Sequence, residues 1–504
     1  MKTNMEVTAD EIARAVIDKF NSLPQKRKPI VRGNGSIEWV PLSGVVAEFP
    51  DRTVKCLSLA TGMKCLPQFK IPSASGQVLH DTHAEILALR GFNSYLLSCC
   101  ESIVKRMSEE TAQDKCSTSH YDHGIISLRP EILNPEIRIA STFSFPPFII
   151  RSDIRLHLYC SEAPCGDSSM ELVMAAQADA TPWDVPNPSI TPLSPSVTLF
   201  TPSSSENPSL PGRANFSLLS IVRRKPSRPD APPTLSKSCS DKLSLKQCSS
   251  ILSSISSLLV GPENAYLTSV VIPKEQLCVC ASGFERAFGA IQGMGRMAPA
   301  ANIRKEDEET GEKFQENLTA NGLESNYNMD RMWQSRRGNN LENSMEPYGP
   351  YKFHPLSWHG TSVSFLYSKS TILRETQTAG SGVPKLCSSN MSALWTADGI
   401  EENIIGGILQ GRRAGDPKGM SAVCRWRQWE SACGVIAAMT NSQAICTGIV
   451  KNLQDAVAGP TYADLKSCSL LATRQVFIKK VQDIVFKGWM KNKGDEGFIL
   501  MPQQ

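Results

Sequence analysis

Long hydrophobic runs are missing: nowhere in the chain do about 18 apolar residues follow one another, so no segment reads as a membrane-spanning helix. The N-terminal stretch has no apolar run behind a basic start, which removes the reading of a secretory signal. Neither sign of charge is in excess, since 53 Lys and Arg against 49 Asp and Glu leave only +4. That surplus is too small to argue by itself for a polyanionic partner, and the distribution of charge has to carry any such argument. The 16 cysteines lack the spacing of a disulfide framework. Most are therefore expected as reduced, buried thiols of an intracellular protein, with a few available to bind metal. No internal repeat is visible, which excludes solenoids and propellers. What is present, 504 residues with 41% hydrophobic and 20% charged, suffices for a substantial core.

Residues 9–22 place Ile12, Ala15, Val16 and Phe20 at helical intervals and predict an amphipathic N-terminal helix, followed by a basic stretch. Residues 44–60 read as strands broken at Pro50-Asp51, and 83–98 return to helical spacing through Ile86, Leu89, Asn93 and Leu97. The alternation predicts an α/β layer. Three stretches interrupt it, near 100–145, 182–212 and 303–347. Their composition is too polar or too rich in Pro and Ser to bury much surface, and they read as disordered insertions in one domain spanning 1–504. From about 392 onward the chain looks globular again, with a long helical pattern over 461–491.

The chemistry-bearing residues begin at His80-Asp81-Thr82-His83-Ala84-Glu85. A His-x-Glu at a helix start can offer a metal one imidazole and leave a carboxylate for the water beside it. The same residues also fit a capping box, in which Thr82 accepts from the Glu85 amide and Glu85 reaches back. The second stretch is Pro164-Cys165-Gly166-Asp167, after a strand-like 154–159. Proline suits a first helical turn, and a helix N-terminus favours a thiolate. Many zinc deaminases continue as Pro-Cys-x-x-Cys, but here the position is Ser168, so a second thiolate has to come from elsewhere. Cys239, in Ser-Cys-Ser-Asp-Lys after the basic run 223–228, is the candidate, against the plain alternative of a small buried hydrophobe. One imidazole and two thiolates leave a fourth tetrahedral position for water, the arrangement of a catalytic zinc.

These pieces, with ATGMKC at 60–65, HAE at 83–85, PCGD at 164–167, SCSDK at 238–242 and CRWR at 424–427, resemble the adenosine deaminases acting on RNA. The opening KPIVRGNGSIEWVPLSGVV at 28–46 resembles the tRNA-acting group within them. No double-stranded-RNA-binding domain is read ahead of the catalytic part, which argues against an editor of long duplexes. The resemblance implies a single cytidine-deaminase-like α/β/α layered domain with large insertions and a helical C-terminal part. It further implies one catalytic zinc on His83, Cys165 and Cys239, with Glu85 shuttling protons, and adenosine 37 of alanine tRNA converted to inosine. The family also buries inositol hexakisphosphate, for which the matching positions are Arg90, Lys225, Lys242, Lys418, Tyr462, Lys466 and Trp489. Leu245 and Val476 stand where related editors tend to carry a basic residue.

For RNA contact, the basic stretches 26–32, 223–228 and 412–427 can neutralise phosphates, and Trp426 and Trp429 offer flat faces unless they are buried. A monomer without membrane association, in nucleus or cytoplasm, is expected. Two rivals remain: a deaminase of free nucleosides, disfavoured by length and basic stretches, and an inactive RNA-binding relative with a structural zinc. Such a zinc needs no proton shuttle and calls for a fourth ligand, for which Cys248 is the candidate near Cys239.

Overall fold

The computed structural model describes residues 7–109, 122–133, 145–175, 210–212, 218–225, 231–303, 348–378, 384–440, 445 and 447–500. The N-terminal helix α1 spans Ala9–Asn21, and Thr8 and Glu11 close it with a reciprocal capping box. Its apolar stripe, Ile12, Ala13, Val16, Ile17 and Phe20, is buried against one face of the central sheet. Gly44 permits the approach, since a Cβ there would lie 2.6 Å from a Val16 methyl.

That sheet has eight strands: β1 Leu42–Glu48, β2 Val54–Thr61, β3 Arg155–Cys160, β4 Leu267–Pro273, β5 Ser357–Thr361, β6 Met391–Thr396, β7 Glu401–Ile405 and β8 Ile408–Leu409. The order is β5-β4-β3-β1-β2-β6-β7-β8. β3, β4 and β5 run parallel to one another, and every other neighbouring pair is antiparallel. β1 is buried at all seven positions because helices cover both faces, so its sequence reads as a continuous small and apolar run.

Helix α2, Ala84–Glu109, lies on the face opposite α1 and is itself covered by α5, Arg425–Thr440. Being enclosed, α2 buries Leu87, Ala88, Phe92 and Leu96 together with Asn93 and shows little amphipathic contrast. The result is the expected α/β/α layering. Helices α3 (Cys239–Ser249) and α4 (Lys274–Phe288) follow β3 and β4, while α6 (Thr447–Val457), α7 (Tyr462–Ser467) and α8 (Ala472–Ile484) form the helical C-terminal part.

Two expectations are corrected. The interruption at 100–145 is ordered in part: α2 continues to Glu109 with Ile103 and Val104 fully buried. Residues 122–128 form a hairpin within a second, four-stranded sheet. The helical pattern over 461–491 is broken between α7 and α8 by the 3-10 turn Ser469–Leu471. The interruptions at 182–212 and 303–347 fall almost wholly outside the described residues.

Candidate active site

Three chain segments meet at the end of the sheet. The loop after β2 carries Gly62 and Lys64, which hold the α2 start in place: Ala84 N donates to Gly62 O (2.9 Å) and Thr82 N to Lys64 O (2.9 Å). Gly62 has φ 137°, and a Cβ on it would stand 2.1 Å from Ser392 Oγ and 2.3 Å from the Thr82 carbonyl. The Thr82 hydroxyl donates to Lys64 O at 3.1 Å. The capping-box reading is thereby answered, because Thr82 is turned to the loop and Glu85 is not spent on the cap. Asp81 instead accepts from the His83 amide at 3.0 Å.

His83 enters from the start of α2, Cys165 from the turn after β3, and Cys239 as the first residue of α3. Gly166 lets the last two meet: its φ is 109°, and a Cβ would lie 2.3 Å from Ser238 Oγ. Ser240 ties the segments by donating its amide to Cys165 O at 3.0 Å, while the Cys239 amide donates to Cys165 Sγ at 3.4 Å. Cys239 is thereby brought beside Cys165 across 74 residues of chain. Cys165 is hydrogen-bonded both to the Cys239 thiol and to His83, and with Lys225 these partners hold its pKa well below that of a free thiol. Cys239 is pushed the other way by burial and by Cys165, so the two thiols share one strongly favoured negative charge.

Lys225 was matched to the phosphate cage on sequence grounds, yet it sits at the thiols. Its Nζ donates to Cys239 Sγ (3.1 Å) and to Asp81 Oδ2 (2.9 Å). Asp81 also accepts from Lys242 and, at 2.7 Å, from Ser236, and His83 Nδ1 lies 3.0 Å from its Oδ1. Burial opposes the charge on Asp81, but Lys225, Lys242 and His83 outweigh it and hold the carboxyl well below its usual range. Burial likewise opposes protonation of His83, and the charges of Cys65 and Asp81 reverse the balance. Cys65, which sequence reasoning did not single out, places its sulfur within 4.8 Å of ligand atoms of Asp81 and His83. Asp81 is already engaged by two ammonium groups. Among the described residues, the group whose ligand atoms all lie within metal-binding reach of one another is Cys65, Asp81 and His83, while Cys165 and Cys239 adjoin each other beside it, the latter held by Lys225.

Glu85 lies in the first turn of α2, 6% exposed. Burial, reinforced by the neighbouring Cys165, raises its pKa. A carboxyl in that state takes up and releases a proton near neutral pH more readily than an exposed one.

Residues 58–134 and 140–305 match the model of the adenosine-deaminase (editase) domain, a range that contains each of these groups. Over 96% of its length the chain is 31% identical to tRNA-specific adenosine deaminase 1 of Schizosaccharomyces pombe, of which it covers 95%. It is 33% identical to the Saccharomyces cerevisiae protein of the same name over 52% of the chain and 58% of that relative. The chain belongs to this family. A double-stranded RNA-specific editase of Drosophila melanogaster is more distant, 26% identical over 32% of the chain and 20% of the editase.

The remaining residues matched to this deaminase family divide. Arg90, Lys242, Tyr462 and Lys466 gather beside the site, with additions the sequence reading missed. Arg425 lies over the Tyr462 ring at 5.5 Å and Lys466 at 5.9 Å. Burial, then Arg425, lowers the Arg90 pKa. His80 Nε2 and Arg425 both approach Asp495, at 2.8 and 2.9 Å. Trp489 carries Lys237 over its ring at 5.2 Å, somewhat apart, and Lys418 is exposed on the 3-10 turn Pro417–Gly419. Of the half-buried cations, Lys242 is paired with Asp81 and Arg425 with Asp495, whereas Arg90 donates to the Val423 carbonyl at 3.0 Å.

The RNA expectations change more. Trp426 and Trp429 are buried, their rings 5.8 Å apart, so neither offers a stacking face. Arg223 is fully buried, with its amide on Asp241 and its guanidinium on backbone carbonyls, and it offers no phosphate contact. Arg412, Arg413 and Lys418 remain exposed on one loop.

Proposed function

We propose that this chain is a zinc-dependent hydrolytic deaminase converting adenosine to inosine in tRNA, at adenosine 37 beside the anticodon of alanine tRNA. The observation that carries the reading is the placement of Glu85: a buried carboxyl, free of cap and ion pair, next to an imidazole and two adjoining thiols. His83, Cys165 and Cys239 would hold the metal, which when bound supplies Lewis-acid activation of a water molecule. Glu85 accepts the proton of the attacking water and returns it to the departing amino group, so adenosine and water become inosine and ammonia. Lys225 and Asp81 fix the Cys239 sulfur and the His83 ring.

The substrate assignment rests on the relatives, which are named for tRNA. A base in a tRNA loop is already partly unstacked, so its extrusion into a pocket costs less than from a duplex. The exposed Arg412, Arg413 and Lys418 supply charge for the phosphates. Inositol hexakisphosphate fits the cation cluster around Tyr462, with Arg90, Lys242 and Lys466 as holders. One chain supplies the full ligand set, so the active unit is a monomer, working where tRNA is found, in nucleus or cytoplasm.

Purified protein incubated separately with alanine tRNA, free adenosine and a long RNA duplex, with nucleosides analysed by mass spectrometry, tests this. Inosine confined to tRNA and lost in Glu85→Ala is the expected result. Deamination of free adenosine in preference to tRNA overturns the substrate, and inosine formed equally by Glu85→Ala overturns the proton carrier.

A further inference from the structure

Beyond the positions that the family resemblance supplies, two more cations point into the same interior. Lys246 lies on α3, seven residues after Cys239, and Arg474 on α8, the helix packed against α3. Each donates to a neighbouring carbonyl of one loop, Lys246 Nζ to Ile251 O at 3.0 Å and Arg474 Nη2 to Leu252 O at 3.1 Å. Satisfying those carbonyls does not require charge, since the neutral Asn93 amide already donates to Ile251 O at 3.0 Å.

The two residues have no compensating partner of their own. Neither pairs with a carboxylate among the described residues, and Arg474, 7% exposed, leaves its Nε without a hydrogen-bond partner. The charges acting on Lys246 are all positive: after burial, Arg474, Arg90 and Lys242 push its pKa down to about 7. Besides Lys246, Arg474 is faced by the phenols of Tyr351, Tyr462 and Tyr266. A fold that buries two like charges beside one another, against further cations, is stabilised by an anion between them.

We propose that Lys246 and Arg474 are anion ligands, binding phosphate groups of the same inositol polyphosphate and supplying the charge that Leu245 and Val476 do not. Leu245 is packed in an apolar cluster with Phe477 and Val481, and Val476 is exposed, so neither position joins the cation cluster. The next residue on α3, Lys246, does, beside Arg474, Arg90 and Lys242, because one step along a helix turns the side chain by about 100°. On α8 the equivalent place falls to Arg474, two residues before Val476. This inference rests on the polyphosphate reading above.

The test is the phosphorus content of the full-length protein, purified without added phosphate, with inositol hexakisphosphate then added back at increasing concentration and melting temperature followed. The wild type is expected to retain phosphorus. Lys246→Met and Arg474→Met are expected to lose most of it and to need at least tenfold more inositol hexakisphosphate for the same rise in melting temperature, while Lys451→Met, on the exposed face of α6, behaves as wild type. Should the methionine variants fail to fold, Lys246→Arg and Arg474→Lys decide, and retained phosphorus in both supports the assignment. Methionine variants holding wild-type phosphorus overturn the inference and leave the polyphosphate reading standing. A wild type without phosphorus and without response to the added compound overturns both.

Discussion

Lys225 Nζ stands 3.1 Å from Cys239 Sγ and 2.9 Å from Asp81 Oδ2, so one buried ammonium joins the Cys239 sulfur to the carboxylate that contacts the His83 ring. At 4% side-chain exposure the ammonium is kept charged first by the Asp81 carboxylate.

Replacing Lys225 with Met is therefore expected to weaken zinc binding by roughly 10- to 100-fold, the usual effect of removing a group that supports metal ligands. Competition with a chromophoric chelator measures it. Unchanged zinc affinity in a folded Lys225→Met protein would contradict the supporting role.

The choice between ligand sets can be read from metal content. On the proposed ligand set, Cys165→Ala and Cys239→Ala are expected to lose stoichiometric zinc, whereas Cys65→Ser, at a position whose sulfur touches Asp81 and His83, is expected to keep it. Loss of zinc from Cys65→Ser with retention in Cys239→Ala would place the metal on the other cluster.

Gly62→Ala forces a Cβ to within 2.1 Å of Ser392 Oγ and 2.3 Å of the Thr82 carbonyl, in a backbone conformation that side chains rarely adopt. The loop and the α2 start must then part, which displaces His83. A lower melting temperature together with reduced zinc content is expected. Wild-type values for both would show that the loop does not position the ligand.

Acid sensitivity has a buried source away from the site. His157 on β3 contacts Glu48 at 3.1 Å and Ser269 at 2.8 Å. Burial lowers its pKa despite the pull of Glu48, with Arg155 and His359 adding to the lowering. In the unfolded chain it titrates near its ordinary value of about 6.5, so below that pH the unfolded state binds the extra proton. Stability contributed by neutral His157 is complete above the unfolded value and falls as pH drops toward the folded one. Urea midpoints at about pH 7.5 and about pH 5.5 should differ less for His157→Gln than for wild type. Equal differences would remove His157 as a source.

The catalytic half of the site was legible because its parts are local. His83 and Glu85 sit two apart at a helix start, and Pro164-Cys165 ends a strand with its own apolar run. Cys239 was only one candidate among many cysteines until the family pattern was added, since the contact that brings it to Cys165 depends on Gly166 and Ser240 meeting across the fold. Burial of basic and aromatic residues was the least legible property. Arg223 and Lys225 lie in what reads as a basic surface run, and groups supplied by other segments take them inside: the Gly212 and Leu218 carbonyls accept from the Arg223 guanidinium, and the Asp81 carboxylate accepts from Lys225. Trp426 and Trp429 are taken up in the same way, under α2 and against the α6 end, where Trp429 Nε1 donates to Val457 O at 3.3 Å.

The central claim is hydrolytic deamination of a tRNA adenosine with Glu85 carrying the proton. It is tested most directly by a single incubation of alanine tRNA with wild type or Glu85→Gln in heavy-oxygen water, followed by mass analysis of the anticodon-loop fragment. The account predicts inosine at position 37 bearing the heavy oxygen, formed roughly 100- to 10,000-fold more slowly by the variant. Inosine without the label, or label appearing at the same rate in Glu85→Gln, would contradict it.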